Sequence, residues 1–263
     1  MSTVAVLSGS ALTMKFGGLT AISDIDFTLA AGEILGIMGP NGAGKSTLFN
    51  LISGIYRPTG GDIRLCSERL LGLPIHMIAQ LGIARTFQSS RLFTDLSVLD
   101  NVIIGMHCHT RGGVLTALFR PSRARRELAQ DAARAGEILE SVSGELYAQR
   151  GKPAGELAQA DRRRLEIARA LASKPKILLL DEPSSGMDDR DTDALIRDVR
   201  RICHNNTELA IMVIEHDMRL MAELPNRVMV LDYGRKIADG QFSGITRMTH
   251  VQEAYLGRKV GND

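Results

Sequence analysis

The sequence predicts an α/β protein in which helices cover a parallel sheet, with an antiparallel β segment near the N-terminus and an inserted helical segment. Three features predict this class. Apolar runs of strand length recur and are followed by helical patterns, which is typical of parallel sheets; these runs are 34–38, 177–181 and 209–214. Residues before about 32 form short apolar stretches that turns separate. Between 89 and 156 the spacing of the apolar residues becomes helical, as in Leu128, Ala132, Ala135 and Leu139.

The composition is that of an ordinary soluble protein. Hydrophobic residues make up 44% and charged residues 24% of the 263 residues, and the formal net charge is +2. This balance argues against a disordered protein and gives no reason to expect a nucleic acid as partner. No apolar run approaches the roughly 20 residues that span a bilayer, and no signal-peptide pattern is visible. We therefore expect a soluble chain that reaches a membrane only through a partner.

Three scattered cysteines, Cys66, Cys108 and Cys203, have no paired spacing. They predict reduced thiols of a cytosolic protein in packing or surface positions.

Turn and capping signals place the remaining elements in chain order. Gly32 and Gly54 mark the ends of a strand and of a helix. The elements predicted before the insertion are strands at 22–29, 34–38 and 63–65, turns at 39–44 and 59–62, and a helix at 47–53. Those predicted after it are helices at 162–173 and 189–204, strands at 177–181 and 209–214, and a hairpin at 228–238. Lys174 and Pro175 stop the first of these later helices.

The strongest chemical signal lies between a predicted strand and a predicted helix. It reads Gly39, Pro40, Asn41, Gly42, Ala43, Gly44, Lys45, Ser46, Thr47 and satisfies G-x-x-x-x-G-K-[ST]. Glycines allow backbone N–H groups to surround phosphates, and the following helix directs its positive dipole end at the anion. Lys45 can then bind the β- and γ-phosphates, and the Ser46 hydroxyl can bind Mg²⁺. The motif predicts a P-loop NTPase (RecA-like) core.

Two carboxylates end the apolar strand at 177–181. Asp181 is suited to hold Mg²⁺, and Glu182 can orient and polarise the attacking water. An apolar run followed by Asp-Glu is common, so the preceding P-loop is what makes these residues the second half of one site.

Two further residues are candidates for the same site. His216 follows the strand at 209–214 and is predicted to hydrogen-bond the γ-phosphate, although a lone histidine there would most often be a surface residue. Gln88 opens the helical insertion, and its amide can ligate Mg²⁺ or the lytic water. Movement of this loop would link the nucleotide state to the insertion.

The order of these motifs resembles the ATP-binding cassette of ABC transporters over essentially the whole chain. The resemblance implies that Phe16 stacks on adenine, with a core phenylalanine as the alternative, and that Ser185 and Asp188 lie in a loop at the dimer interface. It also implies a core of residues 1–88 and 157–263, which includes the β segment, and a permease-coupling helical subdomain at 89–156.

More narrowly, the chain is similar to the ATPases of branched-chain amino acid importers. Matching stretches include Phe16–Leu19, Arg85–Gln88, Arg163–Arg169, Ile214–Met218 and Ala254–Gly257. The resemblance implies ATP and Mg²⁺ as cofactors, integral-membrane permeases and a second cassette as partners, and indirectly a periplasmic binding protein. It also implies a peripheral position on the cytoplasmic face of the inner membrane. Whether the two cassettes are identical is left open.

One departure from the family is the signature that binds ATP held by the opposite subunit. The family sequence L-S-G-G-Q is replaced by Leu157, Ala158, Gln159, Ala160, Asp161. A methyl group at Ala160 and a negative charge at Asp161 would weaken that site, and Arg162 could offset part of the charge. The alternative is that Asp161 only caps a helix starting at Arg162.

Several alternatives stay open at this level. The cargo could instead be urea, amides or exported lipopolysaccharide, and a soluble, non-transport ABC ATPase is a remoter possibility. The basic residues Arg120, Arg123, Arg125 and Arg126 form either a solvated face or a contact with anionic lipid headgroups.

Overall fold

The computed structural model describes residues 5–86, 92–106 and 121–256. Its strands are β1 (Ala5–Phe16), β2 (Leu19–Ala30), β3 (Ile34–Met38), β4 (Gly60–Leu65), β5 (Glu68–Arg69), β6 (Ile83–Arg85), β7 (Ile177–Asp181), β8 (Ala210–Ile214), β9 (Arg227–Asp232) and β10 (Arg235–Gly240). Its α-helices are α1 (Lys45–Ile52), α2 (Ile75–Leu81), α3 (Val98–Gly105), α4 (Pro121–Val142), α5 (Gly144–Ala148), α6 (Gln159–Leu171), α7 (Asp189–Asn205), α8 (Met218–Glu223), α9 (Phe242–Ile245) and α10 (Thr249–Leu256).

The first sheet is antiparallel, in the order β2-β1-β4-β5. The prediction of short strands is wrong here, because β1 and β2 each span 12 residues. Ala11 and Asp24 have φ values of 47° and 53°, and register shifts interrupt the β1–β2 pairing. Such irregularities hide the alternation of apolar and polar residues by which a long strand is predicted.

The turn predicted at 59–62 is also wrong, since β4 begins at Gly60. Gly61 has a φ of 85°, and a Cβ there would lie 2.4 Å from the backbone oxygens of Ser10 and Ala11. The two glycines therefore allow an irregular pairing of β4 with β1.

The second sheet has the order β10-β9-β3-β8-β7-β6 and is parallel except for the β9–β10 hairpin. Its central strands β3, β7 and β8 are fully buried, which agrees with their uninterrupted apolar sequences. Because the strands are parallel, the chain leaves β3, β7 and β8 at the same edge of the sheet. The P-loop, Asp181 and His216 all follow these strand ends, so the topology brings the predicted site together.

The helices after residue 98 confirm the helical character predicted for the insertion. Ala135 and Leu139 are fully buried, whereas Leu128 is 63% exposed and does not belong to the predicted apolar face. The apolar core continues from α3 and α4 through Leu165 of α6 to one face of the second sheet. A second apolar cluster fills the space between the two sheets.

Two helix starts differ from the prediction. Helix α1 begins at Lys45 and α6 begins at Gln159, each before the predicted start. Neither helix has a side-chain cap, so the sequence carries no capping signal that would mark the first turn.

Two properties of the described residues bear on earlier expectations. Among them, no helix is long and apolar enough to cross a membrane. Cys66 is exposed and Cys203 is partly buried, and both are free thiols. Burial raises the pKa of Cys203 to about 11, so this thiol stays protonated at neutral pH. Cys108 lies outside the described residues.

Candidate active site

The loop between β3 and α1 has the backbone conformation that its glycines predict. Gly39, Gly42 and Gly44 have φ values of 145°, 82° and 103°. A Cβ at Gly39 would lie 2.1 Å from the Leu231 backbone oxygen, so no larger residue fits there. At Gly42 the space around a Cβ would be open, and only the backbone conformation favours glycine. This loop leads directly into the N-terminus of α1, which is the arrangement that binds phosphate.

Lys45, the first residue of α1, is 6% exposed. Its Nζ donates hydrogen bonds to the backbone oxygens of Gly39 at 2.7 Å and Pro40 at 3.0 Å. Burial lowers the pKa of Lys45, and the negative charges of Glu182 and Asp181 partly offset this effect. The ammonium group is therefore held against the loop by backbone dipoles and two nearby carboxylates.

An open cleft of about 480 Å³ adjoins the loop, within the usual range for small-molecule sites. Besides residues 41–47, its lining includes Phe16, Tyr233, Glu182 and His216. Phe16 is 42% exposed and packs edge-on against Tyr56, with ring centroids 5.2 Å apart, so it is not the core phenylalanine of the alternative interpretation. Tyr233 is 88% exposed, and the sequence analysis missed it because a tyrosine in a hairpin turn carries no motif.

The cleft has the properties that a nucleoside triphosphate requires. It combines backbone N–H groups at a helix N-terminus, a buried cation and an exposed aromatic ring. For Mg²⁺ the available side-chain oxygens are the exposed Ser46 hydroxyl and the Asp181 carboxylate, which are the hard ligands that this ion prefers.

Asp181 is already bound by Arg85, a basic residue for which the sequence indicates no role beyond a matching stretch. Arg85 Nη2 donates to Asp181 Oδ2 at 2.7 Å, and both side chains are 9% exposed. Arg85 Nη1 also donates to Asn50 Oδ1 at 2.7 Å and Ser53 Oγ at 3.2 Å, and its guanidinium lies 5.5 Å from the centre of the Phe49 ring. Arg85 thus connects the end of β6 to α1 and to the end of β7.

Glu182 and His216 lie together, although they follow different strands. His216 Nε2 is 3.0 Å from Glu182 Oε1. The backbone N–H of Glu182 donates to the Ile214 oxygen at 2.9 Å, which fixes the residue beside the end of β8. Glu182 has a φ of 48°, a conformation that costs a non-glycine residue on the order of 1–3 kcal/mol. This backbone conformation places the carboxylate beside a histidine, where it is suited to hold and move a proton at Oε1.

A buried glutamate lies directly behind this pair, and the sequence analysis gave it no role. Glu215 is 3% exposed. Its Oε1 accepts from the backbone N and the hydroxyl of Ser184, at 2.7 and 2.6 Å. Its Oε2 accepts from the backbone N–H groups of His216 at 2.9 Å and Asp217 at 3.4 Å. A charged residue immediately after an apolar strand is the signal that could have identified it.

The degenerate signature has a geometry that corrects two expectations about Asp161. Helix α6 has Ala158 as its N-cap, so Asp161 lies inside the first turn and does not cap a helix starting at Arg162. The Asp161 carboxylate accepts from Arg164 at 2.9 Å and from Gln149 at 2.8 Å. Arg164, rather than Arg162, therefore compensates its charge. Arg162 instead donates to the backbone oxygens of Leu157 and Gly155.

The signature also contacts the loop that follows Glu182. Gln159 Nε2 donates to the Ser185 oxygen at 2.9 Å. A Cβ at Gly186 would lie 2.3 Å from the same nitrogen, so a glycine leaves room for this contact. Asp188 accepts a hydrogen bond from the Asp191 N–H and caps α7. Ser185 and Asp188 thus have contacts within this chain, and their place at a dimer interface stays a prediction.

Two further residues, Gln88 and Tyr255, belong to stretches that match the family. Gln88 lies outside the described residues. Tyr255, in the closing stretch that matched the family, interacts with the P-loop: burial raises the pKa of Tyr255, and a hydrogen bond with the Gly39 backbone lowers it in part.

Comparisons with known proteins agree with this geometry. The family model described as ABC transporter matches residues 22–185. The chain is 40% identical over 255 residues to the high-affinity branched-chain amino acid transport ATP-binding protein BraF of Pseudomonas aeruginosa, which covers 96% of this chain and 98% of BraF. The lipopolysaccharide export system ATP-binding protein LptB of Escherichia coli K12 is 33% identical over 256 residues, covering 97% of this chain and 98% of LptB. A crystal structure of the ADP conformation of an ATP-binding cassette from an ABC transporter superposes with a TM-score of 0.82 and 25% identity, over 97% of this chain and 100% of that one.

Proposed function

The chain belongs to the ABC transporter family as an ATP-hydrolysing cassette, and on that premise we propose that it drives an importer of branched-chain amino acids. The observation that carries the proposal is one site at one sheet edge, in which the P-loop faces the Glu182–His216 pair. The cargo assignment is supported by the 40% identity to BraF over 96% of the chain.

At this site each residue has a distinct task. Lys45 and the N–H groups of the P-loop bind the phosphates, and the exposed ring of Phe16 offers a stacking surface for adenine. Glu182 accepts a proton from the attacking water at Oε1. His216 has one N–H to give, so it orients that carboxylate before ATP binds and donates to the γ-phosphate when ATP is in place. The contact of 3.0 Å between them supports this division of roles.

Ser46 and Asp181 would hold Mg²⁺, and Gln88 is proposed as a further ligand. When bound, the ion neutralises charge on the β- and γ-phosphates. Arg85 competes for Asp181 Oδ2, so we expect the ion pair to loosen, or a water molecule to intervene, when the metal is bound.

We propose that two cassettes associate head to tail, with the signature of one facing the P-loop of the other. ATP then favours the closed pair because it contacts both subunits only in that state. The segment Leu157–Asp161 lacks the serine and the glycines of the family, so the site completed by this signature is the weaker one. Arg164 pairs with Asp161 as well as with Asp198, and Ala160 is buried within its own chain, so we attribute the weakness to the lost hydrogen bonds of the serine and glycines.

The proposed permease contact is the groove that the end of β6 and helix α6 form with Phe93 and α3 of the helical segment. This groove has a volume of about 450 Å³, and Phe93 and Glu166 are among its lining residues. Phe93 is 49% exposed. Glu166 is 4% exposed, and within the described ranges no donor reaches its Oε1. An exposed ring beside a buried acceptor suits an apolar segment that brings a donor with it. With a permease as its partner, we propose a peripheral position for the chain at the cytoplasmic face of the membrane.

Lipopolysaccharide export is the second candidate function, and the 33% identity to LptB favours it over urea or amide uptake. Deletion of the gene followed by uptake of labelled leucine separates the two. Lost uptake that the wild-type gene restores supports the proposal. Normal uptake together with a defective outer membrane would support export instead.

The permease contact is tested by copurification from membranes. Phe93→Asp should reduce recovery of multi-span permeases at least about tenfold, because it places a charge in an apolar contact. Ile75→Asp, on an exposed residue of α2, is the matched control and should leave recovery unchanged. Equal recovery with both variants would refute the groove as the docking site.

A further inference from the structure

We propose that Glu215 is a positioning residue for ATP hydrolysis, which holds the loop carrying Glu182 and the loop carrying His216 in their productive arrangement. Its two oxygens bind different loops. Oε1 accepts from Ser184, two residues after Glu182, and Oε2 accepts from the N–H groups of His216 and Asp217. The proposal rests on ATP hydrolysis at the Glu182 site.

Glu215 connects the two loops from a buried position. Two other contacts also join these loops: the Glu182 N–H donates to the Ile214 oxygen, and Glu182 Oε1 lies beside His216 Nε2 in an exposed contact. The latter contact involves side chains that are 22% and 43% exposed, so water competes for both groups. A carboxylate that is 3% exposed is screened far less and holds its donors more firmly.

The charge of Glu215 is stabilised by donors rather than by a cation. The structure gives it no ion pair with a described residue, and four N–H and O–H groups converge on the carboxylate. An ionised carboxylate accepts at both oxygens, whereas a carboxamide offers one acceptor and one donor. Only the carboxylate can therefore bind both loops at once.

Glu215→Gln is the direct test, because it preserves the shape of the side chain and replaces one charged acceptor oxygen by an NH₂ donor. If the amide turns its oxygen towards Ser184, its NH₂ group faces the His216 N–H. Two donors then meet, and the loop that carries His216 is released. We expect kcat for ATP to fall roughly 10- to 100-fold, with the affinity for ATP changed less than about twofold, because the P-loop is untouched. Glu223→Gln makes the same change on an exposed carboxylate and should leave both quantities unchanged.

Two further measurements separate positioning from a general loss of structure. Ser184→Ala removes one donor and keeps the Ser184 N–H bond, so kcat should fall less than in Glu215→Gln. In a His216→Ala background, Glu215→Gln should slow hydrolysis by no more than about twofold, since residues that act as one unit are not additive.

The outcomes decide the proposal directly. It is overturned if Glu215→Gln hydrolyses ATP like the wild type, if ATP affinity falls as far as kcat, or if the His216→Ala and Glu215→Gln effects multiply. A failure of the proposed function would look different, because the wild-type chain itself would then hydrolyse no ATP. If Glu215→Gln does not fold, Ser184→Ala takes its place, alone and combined with His216→Ala. Wild-type hydrolysis in Ser184→Ala, or effects of Ser184→Ala and His216→Ala that multiply, would then overturn the proposal.

Discussion

At the scale of single residues, the most consequential group is the ammonium of Lys45. It is buried at the start of α1 and bound to the oxygens of Gly39 and Pro40. Removing its charge-assisted bonds to phosphate in Lys45→Ala should weaken ATP binding by about 1.5–3 kcal/mol, or roughly 10- to 150-fold. Equilibrium titration with a fluorescent ATP analogue measures this change.

A control for this prediction lies at the opposite end of the sheet. Lys176 is exposed and immediately precedes β7, whose carboxyl end carries Asp181. Lys176→Ala should bind the analogue like the wild type. Equal affinities of Lys45→Ala and the wild type would remove Lys45 from the site.

Loss of Arg85 should affect folding strongly. Removing one partner of a buried ion pair leaves an uncompensated charge, which typically costs about 3–5 kcal/mol. Arg85→Met should therefore lower the free energy of unfolding by about this amount, as measured by urea denaturation. Adding Asp181→Asn should recover much of the loss, because the unpaired carboxylate is then absent. No recovery would mean that the Arg85 contacts with Asn50 and Ser53 matter more than the pair.

The sequence predicted those residues that belong to a local pattern. Lys45 and Glu182 follow from their motifs, since the chemistry requires those residue types at that spacing. Arg85 and Glu215 could not be assigned, because their partners are distant in the chain: Arg85 binds Asp181, and Glu215 binds Ser184. A local pattern shows that a charged residue follows an apolar strand, but it does not show which donor or acceptor the fold brings to it.

At the scale of elements, the signature at the start of α6 is the feature to test. Replacing residues 157–161 by Leu-Ser-Gly-Gly-Gln restores a hydroxyl and removes the Ala160 methyl group and the Gln159 bond to Ser185. We expect faster ATP hydrolysis and tighter ATP-dependent association of cassettes. Steady-state ATPase rates and analytical ultracentrifugation with ATP measure both.

Asp161 provides the matching control within the same element. Asp161→Gln alone removes the charge that Arg164 already neutralises, so it should raise neither rate nor association. An increase with this single change, as large as with the whole segment, would show that charge repulsion dominates after all. An unchanged rate in the restored chain would refute the idea of a weakened signature.

Some strands and helices could be predicted from the pattern of apolar residues, and others could not. Strands β3, β7 and β8 were predicted because complete burial leaves an uninterrupted apolar run. The strand predicted at 63–65 is the second half of β4, whereas its first half was interpreted as a turn because the two glycines serve an irregular pairing with β1 rather than a reversal of the chain. The start of α6 was misplaced because Ala158 gives no capping signal.

At the scale of the whole molecule, the nucleotide cleft and the proposed permease groove lie on one body. The nucleotide cleft lies at the carboxyl edge of the second sheet, and the groove with Phe93 and Glu166 lies where the end of β6 and helix α6 meet the helical segment. Arg85 lines this groove and also binds Asp181, so it belongs to both regions. We therefore expect the nucleotide state and permease binding to influence each other.

This coupling is reciprocal, because each ligand changes the affinity for the other by the same factor. Purified permease should raise the affinity of the cassette for ATP, and Arg85→Met should reduce that gain if the variant folds. Titration of ATP with and without permease in detergent measures the effect. Identical ATP affinities with and without permease would show that the two surfaces are not coupled.

The central claim is that the P-loop and Glu182 form one site for ATP hydrolysis, and a single variant tests it most directly. Glu182→Gln keeps the size and polarity of the side chain but removes the group that accepts a proton from water. ATP turnover should fall by about 10²- to 10⁴-fold, while ATP is still bound and is recovered intact from the protein. Turnover of Glu182→Gln at the wild-type rate, or loss of ATP binding in this variant, would contradict the account.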